Sequence, residues 1–284
     1  MTPRPPRAMG MLIAAGLLTT GCSVGVADKA PTPPAIEVSP TPPATGYDGL
    51  LGLPLSAYGT SDKDDDQLFA ARKALVVNCM KSRGHPSYLG QNMVWVSGGD
   101  NEARRPAGAW GYIGLTAAKR QGFHPGQSLP NVAGLTGAED QDFQACQGAA
   151  DKELPRLAGT SGWTLTQRLF AQSLQQTKAD RRVSAARERW SACMTAAGRP
   201  AQDPEILAAG PWETAKPTVD EIAASTAAES CTTSSELAAV YFAVLTGYQR
   251  QLVSANATVL VAYRKQVQAQ ADQVSDLMAK LPAP

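Results

Sequence analysis

Cys79-Met80-Lys81-Ser82-Arg83-Gly84-His85-Pro86 returns later in the chain as Cys193-Met194-Thr195-Ala196-Ala197-Gly198-Arg199-Pro200. The shared pattern, C-M-x-x-x-G-x-P, has the content of a helix end. Cysteine and methionine lie on the buried face, glycine takes the left-handed position after the last turn, and proline prevents continuation. Apolar residues upstream repeat at helical spacing in both copies. They are Leu68, Leu75 and Val76 before Cys79, and Val183, Ala186 and Trp190 before Cys193. Asp64, Asp65 and Asp66 read as acids at the N-terminus of the first of these helices, favourable to its dipole.

Each copy is followed by a second helical segment that carries one more cysteine. Thr136-Gly137-Ala138-Glu139 reads as a capping box opening a helix through Phe143 and Cys146, and Thr218-Val219-Asp220-Glu221 reads the same way before Cys231. The expected fold is therefore mainly α. It is a disulfide-stapled helical domain over 61–284, built from two related helix–loop–helix halves at about 61–158 and 161–284. The duplication favours bonds Cys79–Cys146 and Cys193–Cys231. Four cysteines allow three pairings, and a cross-repeat Cys79–Cys193 bond is the alternative. The favoured loops would each contribute roughly 4 kcal/mol in a chain-entropy account. The cysteines are far apart, no C-x-x-C occurs and there are only two histidines, so neither a metal nor a cofactor is expected.

Trp163, Leu165, Leu169, Phe170 and Leu174 mark another amphipathic helix, with Asp180 as the N-cap of the one that follows. From Glu236 to Leu281 there is no proline and only Gly247. Leu237, Tyr241, Val244, Tyr248 and Leu252, then Leu260, Tyr263, Val267 and Val274, keep the spacing of one long C-terminal helix, with an interruption expected near Thr232 to Ser235. Two outcomes are open for its last part: packing on its own chain, or pairing with the helix of an envelope protein partner.

At the other end, Arg4 and Arg7 precede an apolar run from Ala8 to Leu18, too short for the about 20 residues of a bilayer span. Leu18-Thr19-Thr20-Gly21-Cys22 then resembles a bacterial lipobox, with Thr19 where leucine is usual. This resemblance implies that 1–21 is a lipoprotein signal peptide and that Cys22 carries diacylglycerol. The protein would then be lipid-anchored to the cell membrane on its extracytoplasmic face, in a space where disulfides persist. Residues 22–60, with Pro31, Pro33, Pro34, Pro40, Pro42 and Pro43, read as a disordered, proline-rich stalk reaching up to about 100 Å.

Loss of 1–21 leaves 24 Lys and Arg against 25 Asp and Glu, which gives no electrostatic case for nucleic acid. Between the first two cysteines, aromatics alternate with glycines. Trp110, Tyr112, Phe123 and His124 are the candidate ligand surface, since loops on a rigid scaffold commonly carry binding. No nucleophile elbow, calcium loop or phosphate-binding glycine loop is found, so no catalytic residue is assigned.

With these motifs in hand, the chain resembles uncharacterised actinobacterial lipoproteins and secreted proteins that carry two C-M-x-x-x-G segments. The matching pieces are Cys79 to Gly84, Tyr112 to His124, Trp190 to Gly198 and Cys231 to Gln251. The resemblance implies a place in the cell envelope and no activity. The expected function is a non-enzymatic binding or accessory module. The alternatives are a small-molecule or cell-wall-fragment binder and a cell-envelope hydrolase.

Overall fold

The computed structural model describes residues 32–95, 111–124, 134–212 and 216–280, and among them every regular element is helical. In chain order these are α1 (Gly46–Leu51), a 3-10 turn (Pro54–Tyr58), α2 (Asp62–Ser82), α3 (Leu115–Gln121), α4 (Gly137–Glu153), α5 (Ser161–Ala179), α6 (Arg181–Ala196), α7 (Pro204–Ala208), α8 (Val219–Ser234), α9 (Leu237–Ala255) and α10 (Ala257–Lys280).

The duplicated motif does end two helices. Gly84 and Gly198 take φ of 95° and 72°. The following amides turn back, His85 N–H donating to Met80 O at 3.1 Å and Arg199 N–H to Met194 O at 2.9 Å. These bonds satisfy carbonyls that a helix C-terminus otherwise leaves open. Met80 and Met194 are fully buried. Cys79 is bonded to Cys146 and Cys193 to Cys231, each with Cα atoms 5.6 Å apart. The staples join α2 to α4 and α6 to α8.

Helix starts follow local chemistry. Ser61 and Asp64 form a reciprocal capping box for α2, and Thr218 and Glu221 do so for α8. Asp180 accepts from the Arg182 amide at 2.9 Å and so separates α5 from α6. Thr136 is the N-cap of α4 as expected, but its hydroxyl makes no capping bond.

The two stapled pairs exchange elements. Val76, Met80, Tyr88, Phe143, Cys146 and Ala150 form the core of the first. Trp190, Met194, Ala224, Ala228 and Cys231 form that of the second. Yet α3, which lies in sequence between Cys79 and Cys146, packs on α8, with Ile113, Ala118 and Phe123 in the second core. In return, α10 packs on α2, where Val274 meets Ala71 and Leu154. The halves 61–158 and 161–284 are therefore not separable units. Helix α9 lies across α5 and α6 and closes a third cluster through Val244, Leu245 and Tyr248.

Two expectations need correction. The proline-rich stretch is not a disordered stalk over 33–60. Pro34 is buried and its carbonyl accepts from Arg182 at 2.8 Å. Leu53 and Leu55 are 4 % and 6 % exposed, and the Leu55 amide donates to the buried Gln249 Oε1 at 3.1 Å. Apolar residues interspersed after the prolines, which a composition count dilutes, bring this segment into the core.

The C-terminal helix is also not continuous. It breaks at Asn256, whose side-chain amide donates to Leu252 O at 2.8 Å in competition with the helical pattern. An earlier interruption comes at Glu236, in the left-handed conformation with φ 58°, just past the expected 232–235. What remains is a long C-terminal helix of 24 residues, α10. It packs back on its own chain, burying Leu260, Tyr263, Val267 and Val274.

Candidate functional site

Helix α8 carries an unusual buried face. Glu221, Ser225, Glu229 and Thr232 follow one another at helical spacing, and all are buried. Their partners explain three of them. Glu229 Oε1 accepts from the Ile113 amide at 2.8 Å and Ser225 Oγ donates to Ala118 O at 3.1 Å. Thr232 Oγ1 accepts from Trp190 Nε1 at 3.1 Å. Thus the polar seam holds the 111–124 segment at both ends of α3. Burial pushes the Glu229 carboxyl up to about 7, against the opposing effect of the Ile113 and Gly114 amides. At the far end of α3, Glu221 Oε2 lies 3.5 Å from His124 Nδ1.

This seam decides the fate of the expected aromatic surface. Phe123 is 3 % exposed and packs beside Trp212 with ring centroids 5.9 Å apart, so it is a core residue and not a ligand contact. His124 is held against Glu221. Trp110 lies outside the described residues, as does Cys22. Of the three described, Tyr112 lines a cleft, and burial, followed by the Glu229 charge, raises its hydroxyl above the usual tyrosine range.

The cleft opens where α5, α6, α7, α8 and α9 converge and encloses about 40 Å³. Val183, Leu237, Ala238 and Phe242 form its apolar walls. Two ion pairs cross its rim, Lys178 to Glu205 at 3.0 Å and Arg187 to Asp203 at 3.5 Å. Asp203 is fixed because its Oδ1 caps α7, accepting from the Glu205 amide at 2.8 Å. The Tyr241 hydroxyl is buried in the same cleft. Burial first, and then the charges of Glu205 and Asp203, raise it far above the usual range, so it stays protonated. The arrangement offers an apolar slot, a phenol and a rim of paired charges. A slot of this size admits the apolar tip of a molecule whose remainder lies over the charged rim.

The sequence signalled part of this. Tyr241 and Phe242 stand in the periodic C-terminal stretch and Val183 in the repeat helix, where periodicity reads them as core. Arg187, Asp203 and Glu205 carry no motif, and only tertiary packing brings them to one rim. Among the described residues, no three His, Cys, Asp or Glu side chains converge as a metal site. No helix there is long and apolar enough to cross a membrane.

Comparison of the chain with family models, with curated proteins and with solved structures finds no match. The cleft is therefore interpreted from its own geometry.

Proposed function

We propose that the protein is a lipid-anchored, extracytoplasmic binding module of the cell envelope, whose α6–α9 cleft takes the apolar tip of a small amphipathic molecule without chemical conversion. The cleft carries this reading. Its apolar walls sit beneath two ion pairs already satisfied within the protein, and the Tyr241 hydroxyl buried there is held protonated. Two disulfides and the lipobox-like Leu18 to Cys22 favour an exported location. So does the resemblance to actinobacterial lipoproteins.

The C-terminal helix is a weaker docking element than its periodicity suggests, because its apolar stripe is spent on its own chain. A partner protein would have to read its outer face, where Val259, Val261 and Met278 stand exposed among polar residues.

The test is native mass spectrometry of the protein released from its own membranes. A co-purifying small molecule is expected in the wild type and should be lost in Ala238→Phe, which fills the slot without touching the rim. A wild type that carries none, and that shows no thermal shift with any amphipathic metabolite in a screen, would overturn the reading. Palmitate labelling that persists in Cys22→Ser would overturn the anchor.

A further inference from the structure

A second groove lies on the opposite stapled pair, between α2, α4 and residues 92–95, and encloses about 490 Å³. Its floor is built around an unusually fixed indole. Trp95 stacks on Phe69, with ring centroids 5.4 Å apart and planes 16° from parallel. Trp95 Nε1 donates to Asp66 Oδ1 at 2.6 Å. One face is thus backed by a ring and one edge is pinned, yet the side chain remains 44 % exposed. An indole held this way is a platform, its orientation settled before any ligand arrives.

The polar groups of the groove narrow the ligand. Arg72 and Arg156 both pair with Asp151, and Arg72 also donates to Leu154 O at 2.7 Å, so the Arg72 guanidinium is engaged within the protein. Asp65 and Asp66 flank the platform and disfavour phosphate. Phe69 lies parallel behind Trp95 and gives no second wall, so there is no aromatic cage for a quaternary ammonium. The Gln147 amide makes no hydrogen bond within the described residues. Asn92 uses its carbonyl oxygen to accept from Tyr88, which leaves its NH₂ to face the groove. A wholly apolar partner would strand both amides.

A flat apolar platform with amides and carboxylates beside it describes the complement of a pyranose ring. Such a ring has one C–H face and a rim of hydroxyls. We propose that the Trp95 groove binds a neutral oligosaccharide, with one ring stacked on Trp95 and its hydroxyls bonded to Asn92 and Gln147. The site is separate from the α6–α9 cleft, and its failure leaves the reading of that cleft standing.

Saturation-transfer NMR on the full mature chain tests this, using chitotriose and cellotriose as probes and choline as the cationic control. Binding of at least one trisaccharide is expected at about millimolar affinity, the range in which weak single-ring contacts are read. Trp95→Ala should weaken it at least tenfold, Trp95→Phe should restore most of it, and Gln147→Ala should weaken it several-fold with an unchanged melting temperature. Should Trp95→Ala fail to fold, the Phe and Gln147 variants decide alone. Any of four results overturns the proposal. These are no trisaccharide binding by the wild type, binding indifferent to these variants, choline bound in place of sugar, or a concentration-dependent dimer that Trp95→Phe dissolves.

Discussion

The α2–α4 and α6–α8 pairs share a frame and differ in filling. Both begin with a helix ended by glycine and bond its cysteine to a partner helix with Cα atoms 5.6 Å apart. Both place a basic residue after the glycine against an acid of the partner, His85 on Asp142 at 3.0 Å and Arg199 on Asp220 at 2.9 Å. Inside the frame they diverge. The first core is Val76, Met80, Tyr88 and Phe143 with no buried acid, whereas the second admits Glu221, Ser225 and Glu229 along α8. The difference follows from what each core receives. The first receives α10, a regular helix whose backbone is self-satisfied. The second receives 111–124, a short helix between irregular ends, whose exposed amides and carbonyls require polar partners if they are to be buried. A duplicated scaffold has thus taken an apolar guest on one side and a polar guest on the other.

Removing the first guest should have the largest effect. Deletion of residues 260–284 withdraws Leu260, Tyr263, Val267 and Val274, all buried. At roughly 2 kcal/mol for each buried side chain, the loss rivals the whole stability of a domain. The truncated chain should fail to show a cooperative transition in urea, followed by circular dichroism. A truncated protein that melts cooperatively would mean that the exchange of elements is ornamental.

Next come the staples. Opening either one by paired serine substitution should cost about 4 kcal/mol, nearly equal for the two because the loop-length dependence is logarithmic. The enclosed separations are 67 and 38 residues. Urea midpoints of the Cys79→Ser/Cys146→Ser and Cys193→Ser/Cys231→Ser chains measure this. A difference of several kcal/mol would show that the frames are not equivalent.

The polar guest predicts a pH signature, to which Asp65 at the start of α2, also raised by burial, adds in the same sense. The Glu229 carboxyl stands at about 7 in the folded chain against 4.5 for its ordinary value, so the native state holds its proton where the unfolded state releases it. This contribution is complete below 4.5 and is lost as pH rises through 7, a fall of about 3 kcal/mol. Asp180, lowered chiefly by its bond to Arg182, and Asp142, lowered chiefly by His85, act in the opposite sense. Their stabilisation is present above the ordinary carboxyl value and lost as pH falls below it, outside this window. Unfolding midpoints should therefore decline from pH 4.5 to 7, and Glu229→Gln should flatten the decline. Hydrogen exchange should place the loss in α3 and α8. A flat wild-type profile would remove the polar seam from the energetics.

The frame was legible in the sequence for a physical reason. Helix ends, caps and cysteine spacing are local, so C-M-x-x-x-G-x-P, Thr218–Glu221 and the two disulfides could be read from neighbours in the chain. The guests were not legible. Glu221 and Glu229 look like residues of a solvated face until α3 is known to cover them, and Phe123 looks like a groove aromatic until Trp212 is beside it. Proline content at 31–43 hid Leu53 and Leu55, which pack far from their sequence neighbours. The same limit held for the site. Tyr112 was reachable as part of an aromatic loop, but the Arg187–Asp203 and Lys178–Glu205 rim exists only in the folded chain.

The smallest effect tests the frame itself. A methyl group added at Gly84 or Gly198 would meet no atom within 4 Å, so the cost of Gly84→Ala or Gly198→Ala is purely the left-handed backbone at φ 95° and 72°. That cost is about 1–2 kcal/mol for an ordinary residue, and it should be the same in both halves. It should also leave the pH profile unaltered, because neither position touches the polar seam. Chemical denaturation at pH 4.5 and pH 7 reads both outcomes at once. Equal losses at the two pH values would confirm that the helix ends belong to the shared frame. A Gly198→Ala loss that grows with pH, without a matching change at Gly84, would mean that the end of α6 is coupled to the Glu229 seam. The two halves would then differ in their frame as well as in what the frame holds.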